Sequence, residues 1–181
     1  VYKRQVVYRR HTNFSMETIE QTINGASTTT GGIGTVTISR NGDLVHKVYV
    51  SSSTASIVDG DEIVAEVEIE IGGQRIDRHF KEWNQIWNEL TTPESKALGL
   101  KSMKGCVGSS GTTGVGTVYV PLNFWFCRNP GLALPLIALQ YHEVKLKFTW
   151  GAAAGAVGAT AACKVWCDYI YPVSYTHLTL P

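Results

Sequence analysis

Histidine residues are the first candidates for chemistry in this chain. Outside the C-terminal tail they stand singly in four separate segments, as His11, His46, His79 and His142. A β-sandwich metalloenzyme would place two histidines one residue apart near a glutamate, and a zinc protease would carry H-E-x-x-H. The sequence has neither pattern, and it lacks a G-x-S-x-G elbow and a phosphate-binding glycine loop. We therefore predict no catalytic residue, no metal ligand and no cofactor-binding residue, and we do not expect an enzyme.

Four cysteines, at positions 106, 127, 163 and 167, are the second candidates. Cys163 and Cys167 are spaced C-x₃-C in a segment that reads as a strand, so both side chains lie on one face ~13 Å apart. That separation is too long for a disulfide between them, and no further Cys or His stands at metal-ligand spacing. We predict that the cysteines are buried free thiols, which pack as small hydrophobic side chains.

Charged and polar motifs give weaker signals, and each has a simpler structural interpretation. The glutamates of the segment Glu62 to Glu70 could bind a cation, but one polar face is the default for a sheet that meets water. Arg9-Arg10 could contact phosphate, although pairs between strands or subunits are the commoner role. Asn13-Phe14-Ser15 satisfies the N-glycosylation rule, but nothing in the sequence argues for a secretory route.

Net charge and hydropathy bound the possible partners. Removing Lys3 and Arg4, which we assign below to an appended tail, takes the Lys and Arg count from 16 to 14 against 15 Asp and Glu, for a net charge of −1. This balance argues against a broad nucleic-acid interface. No apolar run is long enough to cross a bilayer as a helix.

Alternating hydrophobicity predicts most of the strands. Ile63 to Ile71 alternates with Ile63, Ala65, Val67, Ile69 and Ile71 inward, and His142 to Trp150 alternates with Val144, Leu146, Phe148 and Trp150 inward. Nearly every residue from Val118 to Phe126 is apolar, which predicts a strand buried on both faces. Further strands are expected at 14–23, 35–39, 44–50, 74–79 and 163–171, and the apolar run Leu132 to Leu139 is expected in the core.

Turn signals separate these strands. Asn24-Gly25 and Asn41-Gly42 predict two-residue turns, the second of which would join 35–39 and 44–50 as a hairpin. Gly72-Gly73 predicts a turn between the strands on either side of it.

Between residues 80 and 105 the spacing of apolar residues changes from every second residue to every third or fourth, which predicts two short helices. Phe80, Trp83, Ile86, Trp87 and Leu90 recur at three- and four-residue steps, which indicates an amphipathic helix with its aromatic side chains inward. Thr92-Pro93-Glu94 is typical of a helix start, with Thr92 as the cap and Pro93 at the first helical position, and the second helix is expected to end near residue 103.

The pattern as a whole predicts an all-β protein. Eight or nine strands, joined largely by turns, fit an eight-stranded antiparallel jelly-roll sandwich. The short helices are confined to one long connection, where they would form a lid over one end of the barrel.

Three segments carry a resemblance to a known family. They are residues 132–146 (LALPLIALQYHEVKL), residues 7–14 with 23–25 and 39–44, and residues 70–77 (EIGGQRID). In this order they resemble the double jelly-roll major capsid proteins of nucleocytoplasmic large DNA viruses, in particular those of algal and giant viruses. The resemblance covers almost the whole chain but only the first of the family's two jelly rolls.

The resemblance implies a structural function in a virion. It implies a subunit of an icosahedral capsid that forms homotrimers through the full-length chain, as pseudo-hexagonal capsomers. The implied partners are neighbouring capsomers, minor capsid proteins and an internal viral membrane, with no nucleic acid and no small-molecule substrate. Assembly would take place in the host cytoplasm.

The two termini read as translated sequencing adapter. Residues 1–5 (VYKRQ) correspond to GTG TAT AAG AGA CAG, and residues 173–181 (VSYTHLTLP) to the same adapter read from its other strand, with Pro172 at the junction. We therefore expect residues 1–5 and 172–181 to be artefact and residues 6–171 to be a truncated N-terminal jelly roll, obtained from environmental DNA.

The alternative function is a jelly-roll carbohydrate-binding module. Such a module would present exposed aromatic side chains on a concave face, and Trp125 and Trp166 are the strand tryptophans that could serve. An enzyme is the third possibility.

Overall fold

A computed structural model describes residues 13–25, 31–54, 59–105, 116–151 and 163–172. Within these ranges the chain forms ten strands and two α-helices. The strands are β1 Phe14–Gln21, β2 Ile23–Gly25, β3 Ile33–Thr37, β4 Leu44–Thr54, β5 Val64–Ile71, β6 Gln74–Phe80, β7 Gly116–Pro121, β8 Leu134–Pro135, β9 Val144–Trp150 and β10 Lys164–Pro172. The helices are α1 Lys81–Thr91 and α2 Glu94–Met103.

The strands form two antiparallel sheets. The first sheet has the order β1-β10-β4-β7, with β8 also pairing with β4, and the second has the order β2-β3-β9-β5-β6. The chain crosses repeatedly between the sheets, so strands distant in sequence become neighbours, which is the jelly-roll winding. The predicted fold class is confirmed, and β2 and β8 are short additions to the eight principal strands.

The core lies between the sheets and follows the predicted alternation of β9. Val144, Leu146, Phe148 and Trp150 are buried, whereas the residues between them are half-buried on the outer face. Across the second sheet, Val67 of β5 pairs with Phe148 and Ile69 with Leu146. These four side chains share one core, as the sequence predicts.

The inward pattern of β5 shifts at its start. Ile63 belongs to a short 3₁₀ helix, Gly60–Ile63, and the register between β5 and β9 slips between Val64 and Glu66. This bulge turns Val64 inward and leaves Ala65 half-buried, so the prediction of Ala65 as an inward residue is wrong.

The segment from Val118 to Phe126 is not a strand buried on both faces. The strand ends at Pro121 and is followed by an extended stretch and a 3₁₀ turn, Trp125–Cys127. Val118, Val120, Leu122, Phe124 and Phe126 are buried, but Tyr119 is 40% exposed. The apolar run here reflects an inner face in the core and an outer face on which Tyr119 is accessible and Asn123 contacts α1.

The following apolar run, Leu132 to Leu139, is only partly in the core. Leu134 and Leu136 are buried, whereas Leu132 and Ile137 are exposed. The end of the run and the turn that follows it contact Arg40, whose guanidinium donates to the carbonyl oxygens of Leu139, Gln140 and His142.

Two of the three predicted turns are wrong. Asn24 and Gly25 lie in β2 and pair with β3. Asn41 and Gly42 lie in a bend that carries the chain between sheets, since β3 and β4 belong to different sheets. A Cβ on Gly42 would lie 3.0 Å from the Cβ of Tyr169, so close packing explains this glycine.

The Gly72-Gly73 turn joins β5 and β6 as predicted. Both glycines have positive φ, +61° and +87°, which a two-residue turn between twisted antiparallel strands requires and other residues rarely adopt.

Both predicted helices are present, but the side of α1 that faces the barrel is not the predicted one. Trp83, Ile86 and Leu90 are exposed, and the buried residue of the helix is Asn84. The prediction that the aromatic face points inward is therefore wrong. At the start of α2 the capping residue is Pro93 and no side chain caps the helix, so Thr92 does not have the predicted role.

Some predictions concern residues outside the described ranges. They include residues 1–5 and 173–181 of the two tails, Arg9-Arg10, His11, Cys106, the first family-like motif at residues 7–12 and the loop at 106–115. Pro172, placed with the C-terminal tail, is described; it ends β10 and pairs with Phe14. Among the described residues, no helix is long and apolar enough to span a membrane.

Candidate assembly surface

The histidines of the described residues are not brought together. The His46 ring lies 3.2 Å from the carbonyl oxygen of Phe126, and the His79 ring contacts the carboxylate of Asp77 at 3.0 Å. His142 is exposed beside the turn at Gly72. No group of three or more His, Cys, Asp or Glu side chains in the described part of the chain could hold a metal ion.

The acidic stripe of the second sheet is an ion-paired outer face. The carboxylate of Glu66 pairs with Arg78, that of Glu68 with Arg75 at 2.9 Å, and that of Glu70 with Lys147. These contacts are partly exposed, so each contributes at most about 1 kcal/mol to stability. The glutamates are matched by basic neighbours, which favours the solvated-face interpretation over a cation site.

Three cysteines lie in the described ranges, and all three are free. Burial raises the pKa of the Cys127 thiol to about 11, and burial also raises the pKa of the Cys163 and Cys167 thiols. A thiol with a raised pKa is a poor nucleophile at neutral pH. The arrangement is that of packed structural cysteines, and it offers no catalytic chemistry.

The surface that stands out is apolar and lies beside the helical connection. We define the helical flank as α1, α2 and the adjoining strands β6 and β7, whose exposed apolar residues are Ile76, Phe80, Trp83, Ile86, Leu90, Leu98, Met103 and Tyr119. Leu90 is 78% exposed and Ile86 is 55% exposed. Apolar patches of this kind on a folded domain commonly mark protein–protein interfaces.

Polar contacts fix α1 with its apolar side outward. The side-chain amide of Asn123, just after β7, donates to the amide oxygens of Asn84 at 3.1 Å and Asn88 at 3.2 Å. At the start of the helix, Lys81 pairs with Glu62 at 3.0 Å. Because buried amides need hydrogen-bond partners, the Asn84 and Asn88 side of α1 must face the barrel.

A buried ion pair fixes the end of α2. The ammonium of Lys104 contacts the carboxylate of Asp61 in the 3₁₀ helix at residues 60–63, and both side chains are almost fully buried. The backbone of Gly60 donates to the carbonyl oxygen of Lys104 at 2.8 Å. A Cβ on Gly60 would lie 2.7 Å from that oxygen, so the close approach requires glycine.

Aromatic and cationic side chains complete the flank. The ring of His79 stacks on Phe124 at 4.6 Å between centroids, and Trp83 packs against Trp87 at 5.5 Å. The guanidinium of Arg128 lies 4.1 Å above the ring of Trp87. Aromatic rings of the flank are thus packed against one another and against side chains of the barrel.

The tryptophans predicted as candidates for an exposed carbohydrate-binding face are not well exposed. Trp125 and Trp166 are half-buried, and the indole of Trp166 donates to Ser51 at 2.8 Å. Tyr119 is more accessible and packs edge-on against Tyr49 at 6.0 Å. The Phe80–Leu90 periodicity is the sequence signal of the helical flank, but such a period predicts only that one side of the helix is apolar, not that this side faces solvent.

The fold and this surface define a class of protein. An antiparallel jelly-roll sandwich with an exposed apolar flank is typical of domains that pack against other protein domains. Comparison with known proteins gives the family. The family model described as "Major capsid protein N-terminus" matches residues 1–176, and this chain belongs to that family, the major capsid proteins of nucleocytoplasmic large DNA viruses.

Relatives and solved structures agree with this assignment. The major capsid protein of Pyramimonas orientalis virus is 49% identical over 185 residues, covering 92% of this chain and 46% of that protein. That of Paramecium bursaria Chlorella virus 1 is 40% identical over 184 residues, covering 92% and 42%. The crystal structure of PBCV-1 VP54 superposes with a TM-score of 0.78 at 38% identity, covering 97% of this chain and 46% of that one. The chain therefore spans about half the length of these relatives.

Proposed function

We propose that this chain is the N-terminal jelly roll of a structural subunit of an icosahedral viral capsid. The full-length subunit would self-assemble into trimeric, pseudo-hexagonal capsomers. The helical flank is the observation that carries the proposal, because a rigid sandwich with an accessible apolar side suits lateral packing against another domain. We assign residues 6–171 to the jelly roll and residues 1–5 and 172–181 to translated adapter.

The helical flank is the surface that we assign to lateral contact. The exposed apolar side chains of α1 and α2 belong to neither sheet face, whereas the outer face of the second sheet carries ion pairs, with Phe80 of β6 opposite Glu66 among them. Burying apolar area stabilises an interface by roughly 25 cal/mol per Å². Covering this flank with a sister jelly roll therefore contributes more than covering the charged face.

The remaining partners follow from the same assignment. The capsomers would contact neighbouring capsomers and minor capsid proteins, with the inner end of the shell over a viral membrane, and assembly would take place in the host cytoplasm before the protein reaches its location in the virion. No nucleic acid, cofactor or small-molecule substrate is part of the proposal.

The test compares oligomeric state with and without the second half. We expect this chain alone to self-associate through its bare flank, and a chain that continues into the second jelly roll to form a trimer. The measurement is size-exclusion chromatography with light scattering at matched concentrations. Two monomers would refute the proposal.

Substitutions on the flank make the test specific. Leu90→Lys should suppress self-association of this chain, since it places a charge in the exposed apolar surface. The matched control is Ile33→Lys, at a residue that is also exposed and apolar but lies on β3, at the other side of the second sheet. Equal effects of the two substitutions would argue against a role for the flank.

A further inference from the structure

Beneath the helical flank, His79 occupies an unusual position for a titratable side chain. It is the penultimate residue of β6, two residues before the start of α1, and is only 6% exposed. One face of the ring stacks on Phe124 at 4.6 Å, and Trp83 of α1 packs against it at 5.8 Å. The imidazole therefore lies in the joint between β6, α1 and the segment that follows β7.

The two ring nitrogens of His79 have different surroundings. Nε2 lies 3.0 Å from the carboxylate of Asp77, so Nε2 carries the proton in the neutral ring. Nδ1 is buried and has no hydrogen-bond partner among the residues that the structure describes. Protonation would place a second N–H at Nδ1, where these residues offer no acceptor, and a positive charge between two aromatic rings. Both consequences cost free energy in the closed state.

Charged groups around the ring oppose each other. The carboxylate of Asp77 favours the protonated ring, whereas the guanidinium of Arg128, held over Trp87, disfavours it. The contacts from Trp83 and Phe124 are apolar, and Lys81 of α1 is paired with Glu62. Burial outweighs the attraction of Asp77 and lowers the pKa of His79 below its usual 6.5.

We infer that His79 makes the docking of α1 on the barrel acid-sensitive, so that mild acidification opens the helical flank. Opening exposes the ring to water, where it accepts a proton readily. The open state thus binds more protons than the closed state, and closure weakens as the pH falls below about 6.5. This inference concerns the stability of α1 and stands whether or not the flank packs against a second jelly roll.

Linkage sets the size of the effect. One proton taken up on opening raises the opening constant up to tenfold per pH unit, once the pH is below the pKa of the open state. Between about pH 7.5 and 5.5 the expected rise is roughly three- to tenfold, depending on how far the pKa of the closed state is lowered. Strands β5 and β9 should not show this rise.

Hydrogen exchange of this chain, corrected for intrinsic rates and read by mass spectrometry, tests the inference. Peptides of α1 should show the three- to tenfold rise, and His79→Gln should abolish it, because glutamine can still donate to Asp77 but does not titrate. His142→Gln, at an exposed histidine, is the control and should keep the wild-type response. No rise in the wild type, or an unchanged rise in His79→Gln, would overturn the inference.

A second measurement tests the inference even if His79→Gln fails to fold. The imidazole of His79 can be titrated directly in the wild-type chain by NMR. We expect the His79 titration to have its midpoint below pH 6.5, and the α1 resonances to broaden over the same pH range. A midpoint at or above 6.5 would show that the closed state accepts the proton without cost, and would exclude the mechanism.

Discussion

Replacing Lys104 by methionine isolates the buried ion pair that fixes the end of α2. Lys104 and Asp61 are 6% and 2% exposed; Lys104 contacts Oδ2 of Asp61, and Oδ1 has no hydrogen-bond partner among the described residues. Removing one member of a buried pair leaves an uncompensated charge and costs about 3–5 kcal/mol. Replacing both members by apolar residues of similar volume is close to neutral. We therefore expect Lys104→Met to be strongly destabilising and the double variant Asp61→Leu/Lys104→Met to recover most of the loss.

The pH dependence of Lys104→Met gives a second signature. Burial already raises the pKa of Asp61 in the wild type, and loss of the lysine should raise it further. A carboxyl group whose folded pKa is raised contributes stability at low pH that is lost as the pH rises through that pKa. Lys104→Met should thus recover stability relative to the wild type on acidification, whereas the double variant should show no such recovery.

Urea unfolding followed by tryptophan fluorescence measures both effects. The slope of the unfolding free energy against urea concentration should be the same in all variants, so that their unfolding midpoints can be compared directly. If the single and double variants lose equal stability, the cost would come from lost packing, and the argument from an uncompensated charge would be refuted. A pH-independent cost in the single variant would refute it equally.

Three further predictions concern the core, a glycine and the thiols. Phe148→Ala removes a fully buried ring that stacks on Trp150 and should lower the free energy of unfolding in urea by about 3–5 kcal/mol. Thr149→Ala, on the outer face, should lower it by less than about 1 kcal/mol. Equal losses would contradict the assigned faces. Gly42→Ala should lower the melting temperature, because the added Cβ would lie 3.0 Å from the Cβ of Tyr169. An unchanged melting temperature would show that the backbone at residues 41–43 shifts to accommodate the methyl group. Cys167 should resist maleimide at pH 8 and react only in denaturant, since burial both covers the thiol and raises its pKa; labelling of the native chain there would contradict its burial.

The candidate surface was predictable in composition but not in orientation. The helical period from Phe80 to Leu90 correctly predicts α1, but the inward aromatic face that it also predicts is wrong. A period shows that one side of a helix is apolar, but it does not show which side meets the barrel. Asn84 and Asn88 decide this, because their amides reach Asn123, a contact between residues far apart in sequence.

What the sequence determined by itself is local. The alternation of Val144 to Trp150 and the glycine pair at 72–73 specify a strand and a turn, since backbone sterics and side-chain period act within a few residues. The family-like motifs likewise led to the correct family.

Only the tertiary structure decided how the local elements combine. Asn41-Gly42 has the composition of a hairpin turn, yet it connects two sheets, because β4 finds its partners in β10 and β7 rather than in β3. The bulge at Ala65 and the exposure of Tyr119 have the same origin. Strand pairing and burial depend on contacts between distant residues, and the free energy of those contacts overrides local preference.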